Sequence, residues 1–147
     1  MVVHRAQFEA TIRSVWLTYS ASEADVAKLA SDLNAESEQA AKNSPSVVAM
    51  MDALAGKAPS QALEALGRIR SNSWRPMTSY AHAGIHAISR HREGHPVSLL
   101  HAILKNTNGL AVLGYFQLVG ICGRQAMQRE ILALAEPFFA CLPDMTS

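Results

Sequence analysis

Apolar residues recur along this chain at the spacing of helix faces. Phe8, Ile12, Val15, Trp16 and Tyr19 fall at i, i+4, i+7, i+8 and i+11, which predicts a first helix over residues 4–20 with one buried stripe. A second start follows at Ser22, a hydroxyl cap ahead of Glu23 and Asp25 and of the apolar positions Val26, Leu29 and Leu33. The polar stretch 34–43 either continues that helix or frays. "NSPSVVAMMDALAG" predicts a short helix capped by Ser44, with Pro45 in its first position and Gly56 as its stop. "APSQALEALGRIR" starts another, capped by Ser60.

Pro76 fits the first turn of a further helix that Gly94 ends. Pro96 then opens a long apolar helix reaching about Cys122, with a break allowed at "NTNG". That helix is apolar almost all round, so it is expected at the centre of the fold or half covered by a partner subunit. A last helix, "RQAMQREILALAEPFFACL", is disturbed by Pro137. No segment alternates as a strand does. The expected architecture is all-α: one domain spanning residues 1–147, an antiparallel bundle of five or six helices with short loops.

Composition sharpens this. Hydrophobic residues make up 49% of the chain and charged ones 17%, which argues against disorder. Cys122 and Cys141 are too few for a disulfide scaffold and read as buried thiols. Met50, Met51 and Met127 read as core filler. The start "MVVHRAQFEA" lacks the form of a signal peptide, and the most apolar stretch, 109–123, is short of the ~20 residues that span a bilayer. The expectation is a cytoplasmic protein with no membrane partner.

The net charge of +1 hides an uneven distribution. Residues 1–66 carry five basic and eight acidic side chains; residues 67–147 carry eight basic and four acidic. Arg68, Arg70, Arg75, Arg90, Arg92 and Lys105 are opposed locally by Glu93 alone, and such a bias attracts phosphates. The same region holds "RPMTSYAHAGIHAISRHREGH", residues 75–95, with four of the six histidines.

On one continuous helix over 75–93, Arg75, Thr78, Ser79, His82, His86, Ser89, Arg90 and Glu93 share a polar stripe. Met77, Ala81, Gly84, Ile85 and Ile88 lie opposite. Seven residues make about 700°, roughly 20° short of two turns, so Arg75 and His82 align. His82 leans toward Arg75, and both reach one phosphate. Three kinds of chemistry suit such a stripe. His82 with His86, and His91 with His95, have the i, i+4 spacing that chelates zinc, but no further ligands accompany them. A histidine near its ordinary pKa of ~6.5 takes a proton from a ribose 2′-hydroxyl while an arginine holds the phosphate, with no metal required. The third reading is a wet helix face, to which His4, His91 and His95 are assigned; His101 reads as a satisfied core or interface residue.

The run from Arg75 to His82 resembles the motif of HEPN-domain proteins, an arginine and a histidine separated by four to six residues. "MTSYAHAGIHAI", its glycine-ended turn and the apolar "NGLAVLGYFQLVGI" look like a bacterial branch of that superfamily, over Ser71 to Ile121. The resemblance implies an all-α bundle, a homodimer with a cleft where two motifs face each other, and metal-independent cleavage of RNA in toxin–antitoxin or anti-phage systems. It implies Arg75 as phosphate clamp and His82 as general base, with Ser79 assisting. His86, Tyr80, Trp74 and Arg90 are expected to contribute to binding. No cofactor and no metal are expected; RNA, a second copy and a cognate antitoxin are the expected partners. Two alternatives stay open: a non-catalytic helical scaffold or binding protein, and a helical metal-binding protein.

Overall fold

A computed structural model describes residues 2–32 and 34–144, so Leu33 lies outside the described residues. The first helix, α1 (Val2–Tyr19), forms as its periodicity predicts. Phe8, Ile12 and Val15 are fully buried and Trp16 nearly so, whereas Tyr19 is exposed. Two short helices follow, α2 (Glu23–Ala30) and α3 (Ala35–Lys42). Ser22 and Asp25 cap each other reciprocally at the start of α2, as its sequence signature predicts. The Ser22 hydroxyl and backbone N–H both favour the ionised Asp25, holding its carboxyl below the usual range. The stretch 34–43 neither continues α2 nor frays. Asn34 accepts from the N–H groups of Glu36 and Ser37 and starts a separate helix.

α4 (Val47–Ala53) starts two residues later than expected. The cap is Ser46, whose hydroxyl accepts from the Ala49 N–H, rather than Ser44; Pro45 stands before the helix. This start puts Met50 into the core, with Leu54 just beyond the helix. α5 (Ser60–Ala81) departs furthest from expectation. Ser60 is its first residue, not its cap, and the helix runs 22 residues straight through Pro76. Proline there cannot donate to the Asn72 carbonyl, a cost of ~3 kcal/mol in a helix interior. Packing on either side offsets it: Met77 is fully buried, and Trp74 packs on Phe8 with ring centroids 6.0 Å apart. The expected helix boundary at Pro76 therefore falls instead at His82–Gly84.

α6 (Ile85–Glu93) ends at Gly94 as expected. α7 (Val97–Ile121) is one uninterrupted helix of 25 residues, with no break at "NTNG". α8 (Met127–Ala135) gives way at Pro137 to a 3₁₀ turn, Glu136–Cys141. Among the described residues the fold is all-helical, with eight α-helices rather than five or six. α1 lies at the centre, against α4, α5 and α7. Its buried stripe meets Met50, Leu54, Leu66, Ile69, Met77 and Leu110, each fully buried side chain being worth ~1.5–3 kcal/mol. α7 is not the central helix. It buries Leu110, Gln117 and Val119 and leaves one flank open. The Gln117 amide donates to the Thr18 hydroxyl on α1. Cys122 and Cys141 are exposed, not buried, because each sits at or beyond the end of a helix on the surface. Met127 is exposed too, at the start of α8, while Met50 and Met51 do line the core. No helix among the described residues is long and apolar enough to cross a membrane.

Candidate functional site

The α5–α6 corner is built by a helix stop. α5 ends with His82 as its C-cap, Ala83 adopts a left-handed φ of +51°, and the Gly84 N–H returns to the Ser79 carbonyl at 2.6 Å. This closure normally uses glycine at the left-handed position, and alanine there is strained. The Ser79 hydroxyl accepts from the His86 N–H at 3.2 Å and so caps the first turn of α6. Gly84 is required by the same contact: a Cβ would stand 2.5 Å from Ser79 Oγ.

The expected stripe is thereby divided. Arg75, Ser79 and His82 remain on or at the end of α5, whereas His86 and Arg90 belong to α6, beyond the break. Arg75 and His82 are both exposed. Ser79 is engaged as a cap rather than presented to a ligand. Arg90 reaches the Gly94 carbonyl at 3.5 Å, at the far end of α6. Tyr80 stacks on His95, with centroids 6.3 Å apart. Trp74 lies within α5, and its ring is occupied by Phe8 and by the guanidinium of Arg5, 5.3 Å from its centroid.

Arg5 is the residue that sequence reasoning missed. Its Nε donates to Glu9 Oε1 at 2.7 Å, and its Nη1 lies 3.2 Å from His82 Nε2. Arginine has no acceptor, so Nη1 is the donor and Nε2 presents its lone pair; a neutral His82 then carries its proton on Nδ1. Glu9, Trp74 and His82 together fix the plane of the guanidinium. The i, i+4 pair of Arg5 with Glu9 was visible in the sequence. Its reach across 77 residues to His82 was not.

His4, one residue earlier, is buried. Its Nδ1 lies 3.1 Å from Thr107 Oγ1, and since that hydroxyl donates to the Ile103 carbonyl, the imidazole is the donor. Its Nε2 is buried without a partner. Burial pushes the His4 pKa below its ordinary value, outweighing the opposite influence of the nearby Gln7 side chain. His101, expected in a core or interface, is exposed in the monomer. No group of three His, Cys, Asp or Glu side chains among the described residues is placed to hold a metal, and His82 and His86 stand on different helices.

A second feature lies between α5, α7 and the C-terminal turn: a hollow of about 580 Å³ walled by Ile69, Leu113, Phe116 and Phe139, with the amides of Asn72 and Asn106 among its polar lining. Pro143 fits against Gly109, where a Cβ would be 2.7 Å away, and Asn108 donates to the Cys141 carbonyl, so the C-terminal segment closes one side.

The family model of DUF6988, described as a family of unknown function, matches residues 1–144. The chain belongs to DUF6988. No curated protein and no solved structure matches it. For this DUF6988 member, the functional reading therefore rests on the Arg5–His82 contact at the α5–α6 corner, on the exposed Arg75 earlier on α5 and on the basic helix α6.

Proposed function

We propose that this DUF6988 protein acts on RNA phosphodiesters at the α5–α6 corner, as an HEPN-like, metal-independent endoribonuclease. The observation that carries the reading is the imidazole of His82, exposed, with Nε2 3.2 Å from the fixed guanidinium of Arg5. Arg75 lies seven residues earlier on the same helix and is also exposed. The charge around it fits a polyanion: across residues 75–95, three arginines and four histidines face a single acid, Glu93, which is already engaged by Arg92.

In this mechanism an RNA phosphate draws the Arg5 Nη1 donor to itself, and Arg75 holds the same phosphate. His82 Nε2, released from Arg5, takes the proton of the 2′-hydroxyl. The 2′-oxygen bonds to phosphorus, the bond from phosphorus to the 5′-oxygen breaks, and the leaving 5′-oxygen is protonated from solvent water, to which His82 then returns the proton it took. The products are a 2′,3′-cyclic phosphate and a 5′-hydroxyl. Ser79 serves the site by holding α6 in place, not by touching substrate. The partners of this reading are RNA, a second copy of the chain and, in a toxin system, a cognate antitoxin; its setting is the cytoplasm.

A non-catalytic binding protein is the second reading, favoured by the apolar hollow with its two asparagine amides. Incubating single-stranded RNA with the protein in EDTA separates the two. The nuclease reading expects cyclic-phosphate ends that His82→Ala abolishes. Binding without cleavage supports the second reading, and full cleavage by His82→Ala overturns the assignment of the base.

A further inference from the structure

The chain exposes 9625 Å². A compact monomer of 15.9 kDa is expected to expose about 7,350 Å², so roughly 2,300 Å² is surplus. One chain of an obligate dimer buries about 1,000–2,500 Å². The surplus is not all alike. α2 and α3 bury no residue and contribute to it, but they carry Glu23, Asp25, Lys28, Glu36, Glu38 and Lys42, which suit water. α7 carries one formal charge in 25 residues, Lys105, and that side chain is paired with Asp144 at 3.2 Å.

The open flank of α7 is a single stripe. Val97, Leu104, Ala111 and Leu118 recur every seven residues, and all four are exposed. Leu100, Tyr115 and Cys122 fill the intervening positions on the same flank and are exposed too. At 100° per residue these seven fall within a sector of about 60°, turned away from Leu110 and Gln117, which face the core, and bordered on one side by the buried Val119. An uncharged stripe with a seven-residue period is the seam along which helices pack knobs into holes. At about 37 Å it runs the length of the helix.

We propose that this stripe is the contact with a second copy of the chain, α7 packing on α7 about a two-fold axis at Ala111. The stripe is its own complement. Leu104 and Leu118 lie equally far on either side of Ala111, so an antiparallel pairing sets each Leu104 on the partner's Leu118 twice over, while the small Ala111 side chains let the helices approach. The absence of charge gives no basis for selecting an acidic or basic partner, and the missing area is what a second chain covers. The contact stands apart from the phosphate reading, because the stripe contains none of Arg5, Arg75 or His82.

Light scattering of the full chain, without RNA, tests this. Wild type is expected at twice the chain mass at micromolar concentration. Leu104→Glu combined with Leu118→Glu is expected at 15.9 kDa with an unchanged helical circular dichroism spectrum, the dissociation constant rising on the order of 100-fold or more. Val48→Glu, an exposed position on α4, keeps the dimer mass. A monomeric wild type, or a double glutamate variant that still dimerises, overturns the proposal. Crosslinking gives an independent readout should the charged variant misfold. With Cys122 and Cys141 replaced by serine, Ala111→Cys is expected to form a covalent dimer under oxidant, and a mixture of Leu104→Cys and Leu118→Cys chains to crosslink to each other. No covalent dimer in either case refutes the seam.

Discussion

Substituting Gly84 with alanine tests whether Ser79 is a structural cap. The added Cβ would lie 2.5 Å from Ser79 Oγ, 3.1 Å from the Ser79 carbonyl oxygen and 3.3 Å from Ser79 Cα. The hydroxyl cannot swing aside without giving up the His86 N–H, because that hydrogen bond fixes its rotamer. The φ of Gly84 is −76°, which alanine adopts freely, so the substitution gains ~0.4–1 kcal/mol by restricting the unfolded chain. Against this stand ~1–3 kcal/mol of steric strain and ~1 kcal/mol for the lost cap. The net is a loss of about 2 kcal/mol. In urea, with a slope of about 2 kcal/mol/M, the midpoint falls by ~1 M. Ser79→Ala alone loses ~1 kcal/mol of capping. In the double variant the clash with Oγ no longer exists, so the two losses are less than additive by about 1 kcal/mol. Strict additivity, or a Gly84→Ala protein as stable as wild type, would refute this account of the corner.

Pro76→Ala restores the backbone donor to Asn72 inside α5 and is expected to stabilise the protein by up to ~3 kcal/mol, read as a higher melting temperature; a lower one contradicts a continuous α5. His4 is buried with its pKa below the 6.5 of an exposed histidine, so the unfolded chain takes up a proton first. Stability should therefore fall as pH drops below about 6.5. His4→Gln, compared with wild type by urea unfolding at successive pH values, should flatten that fall, and an identical pH dependence would rule out His4 as its source.

The sequence made the helix faces legible wherever local chemistry and packing agree. The stripe of Phe8, Ile12, Val15 and Trp16 is where periodicity put it, and the Ser22 capping box forms as its residues suggest. Pro76 misled because local backbone preference was overridden by burial of Met77 and by Trp74 on Phe8, contacts made to a helix some 65 residues away in sequence. The break after Ala81 was hidden for the opposite reason: the chain turns at an alanine with positive φ rather than at the glycine beside it. Arg75 and His82 were legible as a seven-residue spacing, and both side chains are exposed. Arg5 was not, since its role arises from α1 packing antiparallel beside α5. The open flank of α7 was foreshadowed by its hydropathy, but only the structure shows which residues remain uncovered.

The histidine ring nitrogens report most directly on whether RNA is handled at this corner. A short 2′-O-methyl RNA, which lacks the attacking hydroxyl, can be titrated into protein labelled with ¹⁵N at the imidazoles. The His82 signals are expected to shift as the phosphate takes Arg5 away from Nε2, those of His4 to stay unchanged, and Arg75→Ala to weaken the response. His82 signals that do not move at saturating RNA would contradict the handling of RNA at this corner.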